Sequence, residues 1–257
     1  MIVCKSAAEL EAMHRAGLVV WDVLNRLRQA VQPGISTLDL ERIAAQGAQQ
    51  HGARPAFKGY RGYPCVLCAS INQEVVHGIP SGARRLREGD IISLDFGVEL
   101  NGYYGDAALT LPVGKIRSEL CDLLRVTRES LDQAIEKVRP GNRLSDISAA
   151  VQQWVEKHRF SVVREFVGHG IGTKMHEEPN LPNYGDPGHG PRLEEGMVFA
   201  IEPMVNAGGP GVKVLDDKWT AVTTDGSCSA HFEHTVAVTL NGPWILTRPR
   251  EAVGASW

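Results

Sequence analysis

No apolar stretch in this 257-residue sequence comes near the roughly 20 residues that a membrane-spanning helix requires; runs such as 66–71 fall far short. The first twenty residues include Glu9, Glu11, His14 and Arg15, so the unbroken apolar segment of a secretory leader is missing too. Cytoplasmic residence is the expectation. An excess of positive charge is also lacking: 27 Lys and Arg against 30 Asp and Glu leave a net charge of -3. That balance provides no basic stripe for a phosphate backbone and speaks against nucleic-acid binding. Cysteine is scarce and odd in number. Cys4, Cys65, Cys68, Cys121 and Cys228 point to reduced thiols rather than a disulfide framework. Cys65 and Cys68 make one CxxC with no second pair, so a zinc ribbon is not expected and both are read as wall or core cysteines. No linker rich in Ser, Pro or Gly divides the chain, and one domain over 1–257 is expected.

With 43% hydrophobic residues the chain can bury a sizeable core. It also repeats itself at an offset of 107 residues. Val31, Pro33, Gly34 and Asp39 match Val138, Pro140, Gly141 and Asp146; Glu88 and Gly89 match Glu195 and Gly196; residues 91–95 match 198–202. Each half opens with helical periodicity. Ser6 with Glu9 forms a capping box, and Leu10, Met13, Val20, Leu24, Leu27 and Val31 follow until Pro33 and Gly34 stop the helix. A second helix is expected over about 37–50. The other half repeats the scheme, with Leu120, Leu124, Leu131, Ile135 and Val138 ahead of Pro140 and Gly141, then Ile147, Val151, Trp154 and Val155. Strand-like segments come next, at 91–96, 103–111, 198–203 and 233–240. This order predicts an α/β (α+β) fold in which two related halves, about 6–112 and 113–240, share one sheet with helices outside it.

In both halves an apolar strand ends on a carboxylate, Asp95 in one and Glu202 in the other. A buried carboxylate is strongly disfavoured without a partner cation. Asp106 follows Asp95 across Asn101 and Gly102, which read as a hairpin turn, and Glu233 begins another strand-like segment. His169 lies between two glycines, where the backbone can approach closely. Taken singly, Asp106 or Glu233 reads as a paired or capping acid and His77 as a turn histidine. Jointly, four oxygen donors and one nitrogen suit two divalent ions sharing carboxylates better than one thiolate-bound zinc. Two such ions, about 3.5 to 4 Å apart, could hold a bridging hydroxide as the nucleophile for peptide hydrolysis. His14, His51 and His158 fall in helical patterns and are left as surface or core residues.

At these positions the sequence closely resembles the type I methionine aminopeptidases, a family of pita-bread metallopeptidases. The resemblance is carried by Tyr63-Pro64, Ser70-Ile71-Asn72, His77-Gly78-Ile79-Pro80, Gly89-Asp90-Ile91, Asp95 with Asp106, Gly168-His169-Gly170-Ile171-Gly172, His176-Glu177-Glu178-Pro179, Ile201-Glu202-Pro203-Met204-Val205-Asn206-Ala207-Gly208 and Glu233-His234-Thr235. It implies pseudo-twofold halves around a curved, mostly antiparallel sheet covered by helices. It also implies a single catalytic domain that hydrolyses N-terminal methionine from nascent proteins and peptides, preferring a small second residue. Asp95, Asp106, His169, Glu202 and Glu233 become ligands of two divalent ions (Mn, Fe, Co or Zn), with Asp106 and Glu233 bridging and Glu202 also shuttling a proton. His176 is assigned to the scissile carbonyl and oxyanion, and His77 to the scissile amide nitrogen. Tyr60, Tyr63, Cys68 and Trp219, with Phe57 and Met175, become the wall of the methionine pocket. A monovalent cation at backbone oxygens near Asn72 and Ser229, the ribosome as a partner and a monomeric state follow from the same likeness.

There are departures. His231 stands where the family usually has glutamine, on the same strand face as Glu233 if a period of two holds. Phe57 and Met175 occupy positions at which members vary. Two rival readings use the same fold: a proline-specific aminopeptidase or dipeptidase, which normally has an added N-terminal domain, and a non-catalytic peptide-binding module, which would have lost ligands.

Overall fold

The computed structural model describes residues 2–250. Helix α1 (Ala7–Ala30) begins at the reciprocal pair between Ser6 and Glu9, which satisfies amide groups that a helix start leaves open. Its inward stripe of Leu10, Met13, Val20, Leu24 and Leu27 is buried. Helix α2 (Thr37–Gln50) starts at the same kind of box, Ser36 with Asp39. The second half repeats the pair as α3 (Ser118–Ile135) and α4 (Leu144–Lys157). Helix α3 stops before Val138, where the periodicity pointed. Its last turn tightens through Lys137 N–H to Ala134 O and Val138 N–H to Ile135 O, bonds of 3₁₀ type that still bury Val138.

The duplication recurs in the hydrogen bonds. Gly34 N–H donates to Leu86 O (2.8 Å), and Gly141 N–H, 107 residues later, to Leu193 O (3.2 Å). The bonds Thr37 N–H to Arg84 O (2.9 Å) and Leu144 N–H to Pro191 O (3.0 Å) form a second such pair. Gly34 and Gly141 both hold φ +92°, a conformation that favours glycine, just where each first helix turns back.

The main sheet has nine strands among the described residues: β1 (Arg54–Pro55), β2 (Cys68–Ile71), β3 (Ile91–Leu100), β4 (Tyr103–Pro112), β5 (Gly168–Gly170), β6 (Glu177–Leu181), β7 (Val198–Ile201), β8 (Glu233–Thr239) and β9 (Gly242–Ile245). Its order is β1-β3-β4-β8-β7-β5-β6, with β2 also on β3 and β9 also on β8, and each of these pairings is antiparallel. Along β3, Leu94, Phe96 and Val98 are buried on the face that meets α1. Gly105, opposite Val98, lies so near this helix that a Cβ there would be 2.8 Å from Gly17 N. Helix and sheet thus touch backbone to backbone, and the neighbouring residues Asp95, Gly97 and Asp106 point the other way. Two three-stranded sheets flank this face. One joins Ser161–Val162, Met204–Asn206 and Ser229–His231, and the other Glu74–Val76, Ala221–Thr223 and Val212–Val214. No described helix is long and apolar enough to cross a membrane.

Candidate active site

Strand register collects the polar groups on one face of the sheet. Cys68 pairs with Asp95, Asp95 with Ala108, and Ala108 with Glu233. Cross-strand partners share a face, so these four side chains form a row, and Asp106 joins it two residues from Ala108. The hairpin therefore sets Asp106 opposite Gly97, diagonal to Asp95. Gly97 leaves that space open: a Cβ there would be 3.0 Å from Asp106 Oδ1 and 2.9 Å from Phe57. A second row, His169 with Ala200 and Ala200 with Thr235, lies beside the first. Thr235 fixes the junction by donating its hydroxyl to Asp106 O (2.8 Å). Glu202 follows directly on β7, and its carbonyl accepts from Asn183 Nδ2 (2.9 Å).

Asp106, His169 and Glu233 are buried and can bring one ligand atom each within 4.8 Å of one another. Glu202 reaches to 3.6 Å between Oε1 and His169 Nε2, and Asp95 lies diagonal to Asp106 across the β3–β4 hairpin. Asp95 Oδ1, Asp106 Oδ1 and Glu233 Oε1 are buried with no hydrogen-bond partner. Burial, and then the neighbouring carboxylates, hold Asp95, Glu202 and Glu233 well above the usual carboxylate range. Burial lifts Asp106 to about 7 against the pull of the Ala107 amide and the Asp95 side chain. Four acids confined in this way repel one another, and cations between them would reverse the penalty. His169 completes the donor set. Its Nδ1 bonds Gly170 O (2.9 Å), which leaves Nε2 facing the acids, an arrangement that orients a metal-binding imidazole. Burial first, then His176, lowers its pKa to about 3, so the ring is neutral and its lone pair available.

The cavity above this cluster is about 140 Å³. Phe57, Tyr63, Cys68 and Met175 pack as one apolar group, with Tyr60 and Trp219 partly buried against it. Tyr63 donates its hydroxyl to Leu67 O (3.0 Å) or Gly78 O (3.1 Å), anchoring the wall, and meets Trp219 edge-on at 5.1 Å. His77 holds φ +61° and stands edge-on to Trp219 and Phe166. His176 stacks on Tyr60 at 5.2 Å, lies 4.0 Å from the His169 ring, and lines the cavity as a residue that reaches solvent. Burial, then the Arg61 guanidinium, lowers His176 to about 4; burial, then His176, lowers His77 to about 4. Both imidazoles are therefore neutral near pH 7, each with one N–H to donate.

Every residue singled out for the cavity lines it, and Arg61 lines it as well. Sequence reasoning passed over Arg61 and Phe166 because neither belongs to a recognisable spacing. His231 does not share the β8 ladder. It ends the strand Ser229–His231 of a flanking sheet, and Phe232 separates it from Glu233. Its Nε2, buried and without a hydrogen-bond partner, lies 3.8 Å from Glu202 Oε2. All five cysteines are free, and burial followed by Asp95 holds the Cys68 thiol well above its ordinary pKa. A protonated thiol is a wall atom, not a metal ligand. Ser229 N–H donates to Asn72 O (2.8 Å), which brings those two backbones together.

Metallopeptidase family M24 matches residues 11–240 of the chain. The methionine aminopeptidase of Clostridium perfringens is 54% identical over 247 residues, which are 96% of this chain and 99% of that protein. The crystal structure of methionine aminopeptidase from Thermotoga maritima matches with a TM-score of 0.96 at 47% identity, over 97% of this chain and 100% of that one. The prolidase from Pyrococcus furiosus matches with a TM-score of 0.75 at 21% identity, over 97% of this chain and 66% of that one, a likeness of fold.

Proposed function

The chain belongs to metallopeptidase family M24, with its pita-bread fold, and on that basis we propose that it removes the N-terminal methionine from nascent polypeptides and peptides in the cytoplasm. The observation that supports this most is one pit in which buried, unpartnered carboxylate oxygens form the floor and apolar side chains form the wall. The proline-specific reading is not favoured: the methionine aminopeptidase of Clostridium perfringens is 54% identical, against 21% for the prolidase.

Asp95, Asp106, His169, Glu202 and Glu233 would hold two divalent ions, drawn from Mn, Fe, Co or Zn, with Asp106 and Glu233 shared between them. When bound, such ions supply an activated water near neutral pH and polarise the substrate carbonyl. Glu202 takes the water's proton and passes it toward the leaving amine. His176 aims its N–H at the oxygen where negative charge develops, a donor that needs no reorganisation during the reaction. His77 faces the scissile amide nitrogen. Phe57, Tyr60, Tyr63, Cys68, Met175 and Trp219 receive the unbranched, polarisable methionine side chain and exclude water from it. We assign the whole reaction to a single monomeric domain of two related halves. A monovalent cation at the backbone oxygens around Asn72 and Ser229 would brace one rim of the pit, and nascent chains would be met at the ribosome.

Competition between short peptides tests the proposal. Burying a side chain of methionine's size contributes roughly 2 to 3 kcal/mol, so Met-Ala-Ser should be cleaved about 100-fold faster than Ala-Ala-Ser. Met-Ala-Ser should also outpace Met-Leu-Ser. Release of alanine from Ala-Pro with Met-Ala-Ser left intact would overturn the assignment.

A further inference from the structure

The loop that presents Met175 and His176 is fastened by a residue from the other end of the chain. Lys5 sends its ammonium to Glu177 Oε2 at 2.6 Å, and the two side chains are only 2% and 12% exposed. Glu177 Oε1 turns back to the loop, accepting from Thr173 N–H (2.8 Å), Lys174 N–H (3.2 Å) and Thr173 Oγ1 (3.4 Å). The Lys5 ammonium also donates to Val3 O (3.1 Å), and its backbone N–H to Gly196 O (2.7 Å). Gly172 admits the lysine: a Cβ there would lie 2.2 Å from Lys5 Cε. Thr173, Lys174 and His176 are exposed, so Met175 is the only side chain of 173–176 buried in the core.

We propose that Lys5 is a positioning residue for the reaction: through Glu177 it holds the His176 imidazole over the pit. This rests on the assignment of His176 to the substrate carbonyl. Glu177 follows His176 directly and opens β6, and its carboxylate ties down the Thr173 and Lys174 amides, so freeing that carboxylate loosens the loop that carries His176. Removing one member of a buried ion pair leaves the other uncompensated. Without the lysine, Glu177 turns toward water and takes the loop amides of Thr173 and Lys174 with it. An offset of about 1 Å at a catalytic donor can lower turnover by roughly 100-fold.

The test is a double-mutant cycle read in kcat on Met-Ala-Ser. Lys5→Met is made in the parent and in a His176→Ala background, with metal content and thermal unfolding followed in parallel. Lys5→Met should cut kcat by about 10- to 100-fold in the parent, leave metal content unchanged, and have less than about a twofold effect once His176 is alanine. Glu177→Gln, a milder change, should behave alike and serves if Lys5→Met fails to fold. Turnover within about twofold of the parent in either single variant that folds, or an equal fractional loss in both backgrounds, would overturn the proposal. A His176→Ala protein as active as the parent would instead remove the assignment on which it rests.

Discussion

Glu202→Gln should lower kcat on Met-Ala-Ser by about 1,000-fold or more, because the general acid–base transfer proposed for Glu202 contributes roughly 100- to 10,000-fold by itself and an oxygen proposed to bind metal is altered as well. The substitution keeps the size and shape of the side chain. Fold and thermal stability should survive it, since a neutral amide removes one charge from a crowded group of buried acids. Stopped assays at high protein concentration give the rate, and circular dichroism gives the fold. A Glu202→Gln protein within about tenfold of the parent would take Glu202 out of the proton pathway.

The second large effect is expected on metal binding. Asp106 is buried beside both His169 and Glu233, it lies diagonal to Asp95 across the hairpin, and it is proposed to touch both ions. Asp106→Asn removes the charge and one oxygen donor without emptying the space. Metal retained after desalting should fall from near two ions per chain to well below one, and turnover to below about 1% of the parent. Plasma emission spectroscopy on the desalted protein measures the first quantity. Full occupancy in Asp106→Asn would show that the remaining groups suffice and would end the bridging role.

Much of this arrangement was legible before any coordinates. The capping box at Ser6 and Glu9 and the stops at Pro33 and Pro140 are local chemistry, and the helices follow them. Asp95 and Glu202 stand out because the repeat places a carboxylate after each apolar run, where isolated buried charge would be untenable; the strand expected to end at Asp95 instead runs on to Leu100, leaving Asp95 inside β3, while Glu202 does follow the last residue of β7. The roles of His77 and His176, and the wall from Phe57 to Trp219, came from family likeness alone. Tertiary geometry hid the rest. β5 has three residues, too few to show a period of two. His231 lies two positions from Glu233, but the chain passes from one sheet to another between them, so spacing alone did not show that its Nε2 lies 3.8 Å from Glu202 Oε2. Arg61 lies in a turn and Lys5 in the segment ahead of α1, and charged residues in such places are ordinarily solvated. Only the pairing of Lys5 with Glu177 shows that one of them is buried.

The most direct measurement is metal repletion of the chelated protein. Purified chain is stripped of ions, its residual metal quantified, and manganese or cobalt returned stepwise while cleavage of Met-Ala-Ser is followed. Five converging side chains that grip a catalytic ion pair require turnover to vanish on stripping and to return in step with bound metal, saturating at no more than two ions per chain. Metal-free protein that releases methionine at the untreated rate would contradict that requirement outright.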